Sequence, residues 1–158
     1  MKEMNKRIAV IGVGNILLGD EGAGVAVIDE LDRRGRAGPG NESVELIDAG
    51  TAFLAIVHDL KNFDKLIIVD TVRGGKPPGT VYRFGMNDVR NEDMLISLHD
   101  IGVVDSIRLE RLVGRVPEDI IFYGIEPERI EPSLELSPAV GERIGYAADR
   151  IQEEIREA

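Results

Sequence analysis

Short apolar runs rich in β-branched residues recur along the chain and alternate with segments whose apolar positions follow a helical period. Arg7 to Val13 carries Ile8, Val10, Ile11 and Val13 before glycine ends it, a length and composition that predict a buried strand. Val44 to Ile47, Lys65 to Val69 and Ile120 to Ile125 have the same character, apolar on successive positions as central parallel strands covered on both faces require. Thr80 to Phe84, after the turn signal Pro77-Pro78-Gly79, predicts a fifth strand near an edge. Phe53, Ile56, Val57 and Leu60 stand at i, i+3, i+4 and i+7, and Val140, Ile144, Ala148, Ile151 and Ile155 form one stripe, so both segments predict amphipathic covering helices. Ser137 and Pro138 supply an N-cap and a first-turn proline for the last helix, while Gly22 to Arg34 and Ile101 to Leu112 predict two more. This alternation predicts an α/β fold: a single three-layer αβα domain over residues 1–158, with a mostly parallel, twisted sheet of about five strands and right-handed crossovers.

Composition narrows the chemistry. The 29 acidic and 19 basic residues leave a net charge of −10, which repels nucleic-acid phosphates and anionic lipid head groups; neither nucleic acid nor membrane is an expected partner. No cysteine is present, so disulfides, thiolate metal sites and a cysteine nucleophile are excluded, and the chemistry has to come from oxygen and imidazole. The N-terminal residues lack the apolar core and cleavage site of a signal peptide, and no apolar run approaches the ~18 residues of a membrane span, so the expected location is the cytoplasm. Arginine supplies 14 of the 19 basic residues, a bias towards heat adaptation.

The candidate chemistry lies where strands end, because open α/β sheets bind ligands outside the carboxyl ends of their parallel strands. Each parallel strand leads to an acid there: Glu21 one loop after the first, Asp48 in LIDAGT, Asp70 in LIIVDT and Glu126 in YGIEP. Carboxylates gathered at one rim repel one another unless a cation joins them or one holds a proton, so the pattern predicts a functional cleft. Asp48 suits a cap of the following helix as well as a site, Asp70 precedes no strong helix signal and favours the site, and Glu126 suits a solvated loop. Of two histidines, His58 falls on the solvent face of its helix. His99, in LISLHDIGV just before a predicted helix, is the one imidazole near the rim and with two carboxylates makes an N/O donor set suited to zinc, nickel or iron. The loops Arg73 to Thr80 and Glu126 to Ser137 are candidates for bordering the cleft. A nucleotide cofactor is not expected: Gly12 and Gly14 begin the dinucleotide fingerprint, but Leu17 replaces its third glycine and Asp20 and Glu21 oppose a pyrophosphate. Neither G-x-S-x-G nor H-E-x-x-H occurs.

Across nearly its whole length the sequence resembles the hydrogenase maturation endopeptidases, through GVGNILLGDEGAGV, LIDAGT, LIIVDTVRGGKPPGT, the histidine of SLHDIGV and IIFYGIEPERIEPSLELSPAV in that order. The resemblance implies a peptidase that trims the C-terminal extension of the large-subunit precursor of a nickel–iron hydrogenase after nickel insertion. It implies metal-binding positions at Glu21, Asp70 and His99, with nickel supplied by the precursor and read as a sign that cofactor assembly is complete. Hydrolysis would use water activated by the metal or by a carboxylate, with Asp70 and Glu21 as catalytic candidates and Asp48 as a further candidate for general base or orienting group, and Gly50 and Thr51 would bind substrate. A nickel chaperone or sensor using the same three ligands without hydrolysis is the alternative.

Overall fold

The computed structural model describes residues 5–35, 43–90, 95–96, 98–114 and 116–158, with the side chains of 90, 95, 96 and 98–101 outside that description. Strands β1 (Ile8–Val13), β2 (Val44–Gly50), β3 (Lys65–Arg73), β4 (Val81–Gly85), β5 (Leu95–Ile96) and β6 (Asp119–Ile125) alternate with helices α1 (Ala23–Arg33), α2 (Phe53–Ile56), α3 (Leu98–Leu112), α4 (Pro138–Gly141) and α5 (Ile144–Arg156). The main sheet runs β2-β1-β3-β6-β4. Its first four strands are parallel, and β4 closes one edge antiparallel to β6, as the turn before Thr80 predicts. Two-residue β5 pairs antiparallel with the end of β3.

Both faces are covered. Ile11, Leu66, Ile68 and Phe122 meet Phe53, Val57 and Leu60 and, from α3, Val103, Val104 and Ile107. Val10, Ile67, Val69 and Tyr123 meet α1 and α5 on the other face. This two-sided burial is why the strands are apolar at successive positions. From β1 the chain turns one way to β2 and then crosses back to β3, so the gap between β1 and β3 is the switch point at which such sheets bind ligands. Close docking of α1 sets the shape of that gap. A Cβ on Gly24 would lie 2.3 Å from the Val69 carbonyl and 2.6 Å from that of Val13, and one on Gly12 would lie 2.7 Å from the Gly24 carbonyl.

Three local expectations change. The segment after β2 is one α-helical turn followed by a 3₁₀ helix at Val57–Asn62; Phe53, Val57 and Leu60 are buried as predicted. A short connection has to recross a sheet roughly 20 Å tall, and the 3₁₀ rise of about 2.0 Å per residue covers more height than an α-helix. The last helix is interrupted at Glu142 and Arg143, although its apolar stripe faces the core throughout. Ser137 stands at the N-cap position of α4 without making a side-chain cap; its hydroxyl is committed elsewhere, to Asp20. Among the described residues no helix is long and apolar enough to cross a membrane.

Candidate active site

The first loop is built by hydrogen bonds that bring distant segments together. After β1, Gly14 adopts φ 139°, a conformation that L side chains rarely adopt, and a Cβ there would lie 2.0 Å from the Glu21 carbonyl and 3.8 Å from Asp70 Oδ1. Glycine therefore allows the loop to fold back so that the Glu21 backbone carbonyl and the Asp70 side chain both approach Gly14 at the β1/β3 gap. The 3₁₀ turn Gly19–Gly22 carries Asp20 and Glu21, both buried. Thr71 of β3 donates its hydroxyl to the Asp20 carbonyl at 3.0 Å, joining the turn to the strand that bears Asp70.

Asp20 is the clip of this loop. Its Oδ1 accepts the Ser137 N–H at 2.7 Å, and its Oδ2 accepts the Glu128 and Arg129 N–H groups at 2.9 Å each and the Ser137 hydroxyl at 2.8 Å. Burial pushes the carboxyl pKa up, but these four bonds to the ionised form outweigh it, and the net shift is downward. The Gly19 N–H donates to the Ser133 carbonyl and the Ser133 N–H to that of Leu17, so the Glu126–Ser137 loop is strapped to the first loop. Behind the strap lies an open cleft of about 350 Å³ lined by Arg129, Glu131 and Ser133.

Asp70 does not end its strand. β3 continues to Arg73 because β6 pairs with it as far as Thr71 and β5 pairs with Val72 and Arg73. Asp70 is 5% exposed; its Oδ1 accepts the Thr71 N–H at 2.7 Å, while Oδ2 is buried without a hydrogen-bond partner among the described residues. Against it lies a void of about 10 Å³ walled by Val72, Phe84, Val103, Val104 and Phe122. A buried carboxylate oxygen left without a donor is costly, and a cation or a proton removes that cost.

The four acids at strand ends separate into two pairs. Glu21 and Asp70 border the gap. Asp48 is exposed, within the extended β2, and the α2 N-terminus has no side-chain cap, so the capping role is not realised. Gly12 pairs in register with both Asp48 and Val69, which puts Asp48 on the α1 face of the sheet, opposite Asp70. There burial first, and then the charges of Asp48 and Asp32, push the Asp29 carboxyl up. Glu126 is buried rather than solvated. Its Oε2 accepts the Gly74 N–H at 2.6 Å and the Tyr82 hydroxyl at 2.8 Å, clasping the Arg73–Thr80 loop. Gly50 and Thr51 line a small pocket together with Gly14, whose N–H donates to the Gly50 carbonyl at 2.9 Å. His58 is exposed. His99 falls in the first turn of α3, and its side chain lies outside the described residues.

The clip and the clasp are the functional supports that sequence reasoning missed. Asp20 next to Glu21 was visible as an acid pair, but its partners lie more than 100 residues away.

Comparison with known proteins decides what this geometry serves. The family model for hydrogenase maturation proteases matches residues 25–154. The chain belongs to that family. It is 35% identical over 159 residues to the hydrogenase 2 maturation protease of Escherichia coli K12, with 96% of this chain and 92% of that protein covered. It is 34% identical to the hydrogenase expression/formation protein HupD of Bradyrhizobium diazoefficiens, with 92% and 76% covered. Among solved structures, the hydrogenase maturating endopeptidase HybD of E. coli superposes with a TM-score of 0.79 at 33% identity, with 96% and 93% covered. The maturation protease HybD of Thermococcus kodakarensis shares the fold at a TM-score of 0.79 and 23% identity. The chain is accordingly a peptidase of the hydrogenase maturation class, on the α/β scaffold that alternating strands and helices predict.

Proposed function

We propose that the chain removes the C-terminal extension of the large-subunit precursor of a nickel–iron hydrogenase once nickel is in place, and that Glu21, Asp70 and His99 read that nickel. The observation that carries this reading is the Asp70 carboxylate, buried at the switch point beside the Glu21 loop with one oxygen lacking a donor among the described residues. Two carboxylates and an imidazole form an oxygen and nitrogen donor set that accepts a borderline divalent ion such as nickel. The metal arrives as part of the substrate, so an incomplete set of protein donors is what recognition needs; a closed cage would strip the ion from the precursor.

Nickel held there would fix the precursor's terminal segment against the β1/β3 gap and draw electron density from nearby oxygen. The residues of the chain do the rest. Water attacks the carbonyl carbon of the scissile peptide, a carboxylate of the Asp70 and Glu21 pair takes the water proton, and that proton passes to the departing amine as the C–N bond breaks. Asp48, exposed on the other face, is assigned no proton transfer; the outer loop at Asp48–Thr51 has the place of a surface along which substrate lies.

Alanine at Glu21 or Asp70 tests the assignment. Each variant should fold and lose cleavage of nickel-loaded precursor by at least about 100-fold, the scale of lost acid–base catalysis. Normal cleavage by either would remove that residue from the site.

A further inference from the structure

Beside the candidate active site lies a second, smaller pocket. Its volume is about 70 Å³, and Gly14, Gly50, Thr51, Leu54, Gly102 and Val103 line it. Gly14 and Val103 connect it to Asp70: a Cβ on Gly14 would stand 3.8 Å from Asp70 Oδ1, and Val103 also walls the void against that carboxylate. Most of the lining is apolar. A space of that size is on the scale of a side chain rather than of a whole peptide segment.

Gly102 strengthens the case. It lies in the fifteen-residue helix α3, where glycine costs about 1 kcal/mol relative to alanine, yet a Cβ there would meet nothing within 4 Å. Nothing inside the described fold requires glycine. Gly24, by contrast, is required by the strand carbonyls against it. Leu54, 65% exposed at the mouth of the pocket, is equally unexplained by the packing of this chain. Open space beside a helix glycine, an exposed leucine at the lip and a cleavage site within one residue's reach have a common explanation in a substrate side chain that enters from outside.

We infer that this pocket is the specificity subsite for an aliphatic residue flanking the scissile bond of the precursor, with Leu54 covering the side chain and Gly102 leaving room for it. The inference rests on the substrate assignment proposed above. It also gives Gly50 and Thr51 a defined task, that of forming the outer wall against which the peptide lies.

The test uses the full chain with nickel-loaded precursor. The bond cut by the wild type is located by mass spectrometry, and the residue on each side of it is changed in turn to Leu, Ala and Asp. At one of the two positions the wild type should favour Leu over Ala in kcat/KM by about tenfold, the scale of filling an apolar pocket, and should discriminate more strongly against Asp. Gly102→Leu starts from a Cβ that meets nothing within 4 Å among the described residues and should reverse the preference to Ala over Leu; Leu54→Ala should flatten it. Circular dichroism melting checks that both variants are folded. Unchanged ratios in folded variants of an active enzyme overturn the subsite alone. A wild type that cuts no loaded precursor overturns the substrate assignment and the subsite together, so the two failures are distinguishable.

Discussion

Replacing Asp20 with asparagine isolates the clip that holds the Glu21 turn, because the side chain keeps its shape and loses its charge and one acceptor. Asp20 is 1% exposed and accepts four hydrogen bonds, one through Oδ1 and three through Oδ2. An amide oxygen placed at Oδ2 keeps at most three of them and sets an NH₂ group against the Ser137 N–H, donor to donor. A hydrogen bond to a charged group contributes about 1.5–3 kcal/mol and a stranded buried donor costs about 1–3 kcal/mol; the lower burial cost of the neutral amide offsets part of this, leaving a net loss of about 2–4 kcal/mol. For a chain of 158 residues, each kcal/mol moves Tm by roughly 2–4 °C, so calorimetry at neutral pH should show a fall of roughly 5–15 °C. The pH dependence follows from the direction of the shift. The folded pKa of Asp20 lies below its usual 3.8, so its contribution is fully present above the unfolded pKa and is lost as pH falls through the folded one. The Tm gap between wild type and Asp20→Asn should therefore close on acidification. Amide exchange at Glu128, Arg129 and Ser137 should quicken in the variant. A Tm within 2 °C of wild type, or a gap that stays constant in acid, would refute the assignment of Asp20 as the clip.

Two helix glycines, Gly24 and Gly102, should respond oppositely to alanine: Gly24→Ala loses stability because its Cβ meets the Val69 and Val13 carbonyls, whereas Gly102→Ala, into open space among the described residues, gains up to about 1 kcal/mol, as paired urea titrations would show. At the other end of the sheet, Glu154 binds Arg83, the Lys65 ammonium and the Tyr123 hydroxyl at 2.7, 2.8 and 2.8 Å; Arg83 above all, against the opposing effect of burial, brings its carboxyl from 4.5 to about 2. That difference is worth up to about 3 kcal/mol, since one pKa unit is ~1.4 kcal/mol. It is present above about pH 4.5 and lost as pH falls towards 2, and acid denaturation profiles of Glu154→Gln should lack it, with Asp119 at 3.6 Å the carboxylate left beside Lys65 among the described residues. Burial first, and then the Glu126 and Glu154 carboxylates, push Tyr82 and Tyr123 up to about 12. The stability these protonated phenols confer should fade as pH rises from ~10 through that value; absorbance titration should show two late phenols, removed singly by Tyr82→Phe and Tyr123→Phe.

The strands were legible because a strand buried on both faces has to be apolar at successive positions, and β1, β3 and β6 are. That Glu21 and Asp70 lie towards one end of the sheet was legible for a topological reason: parallel strands deliver their following residues to that end. What escaped is set by contacts remote in sequence. Asp48 looks equivalent to Asp70 along the chain, yet the pairing of Gly12 with both Asp48 and Val69 places the two acids on opposite faces. Glu126 has the surroundings of a loop glutamate, and only the return of Gly74 and Tyr82 buries it. Ser137 has the sequence of a helix cap, but its N–H and its hydroxyl both donate to the charged Asp20, which orients the side chain towards that carboxylate rather than over the first turn of the helix.

The central claim is that nickel in the substrate licenses the cut. Mass spectrometry of one large-subunit precursor, incubated with the chain in nickel-loaded and nickel-free forms side by side, tests it most directly. The account predicts a single shortened product from the loaded form alone, absent with Glu21→Ala, Asp70→Ala or His99→Ala. Equal shortening of the nickel-free precursor, or an intact loaded precursor with active wild-type protein, would contradict it.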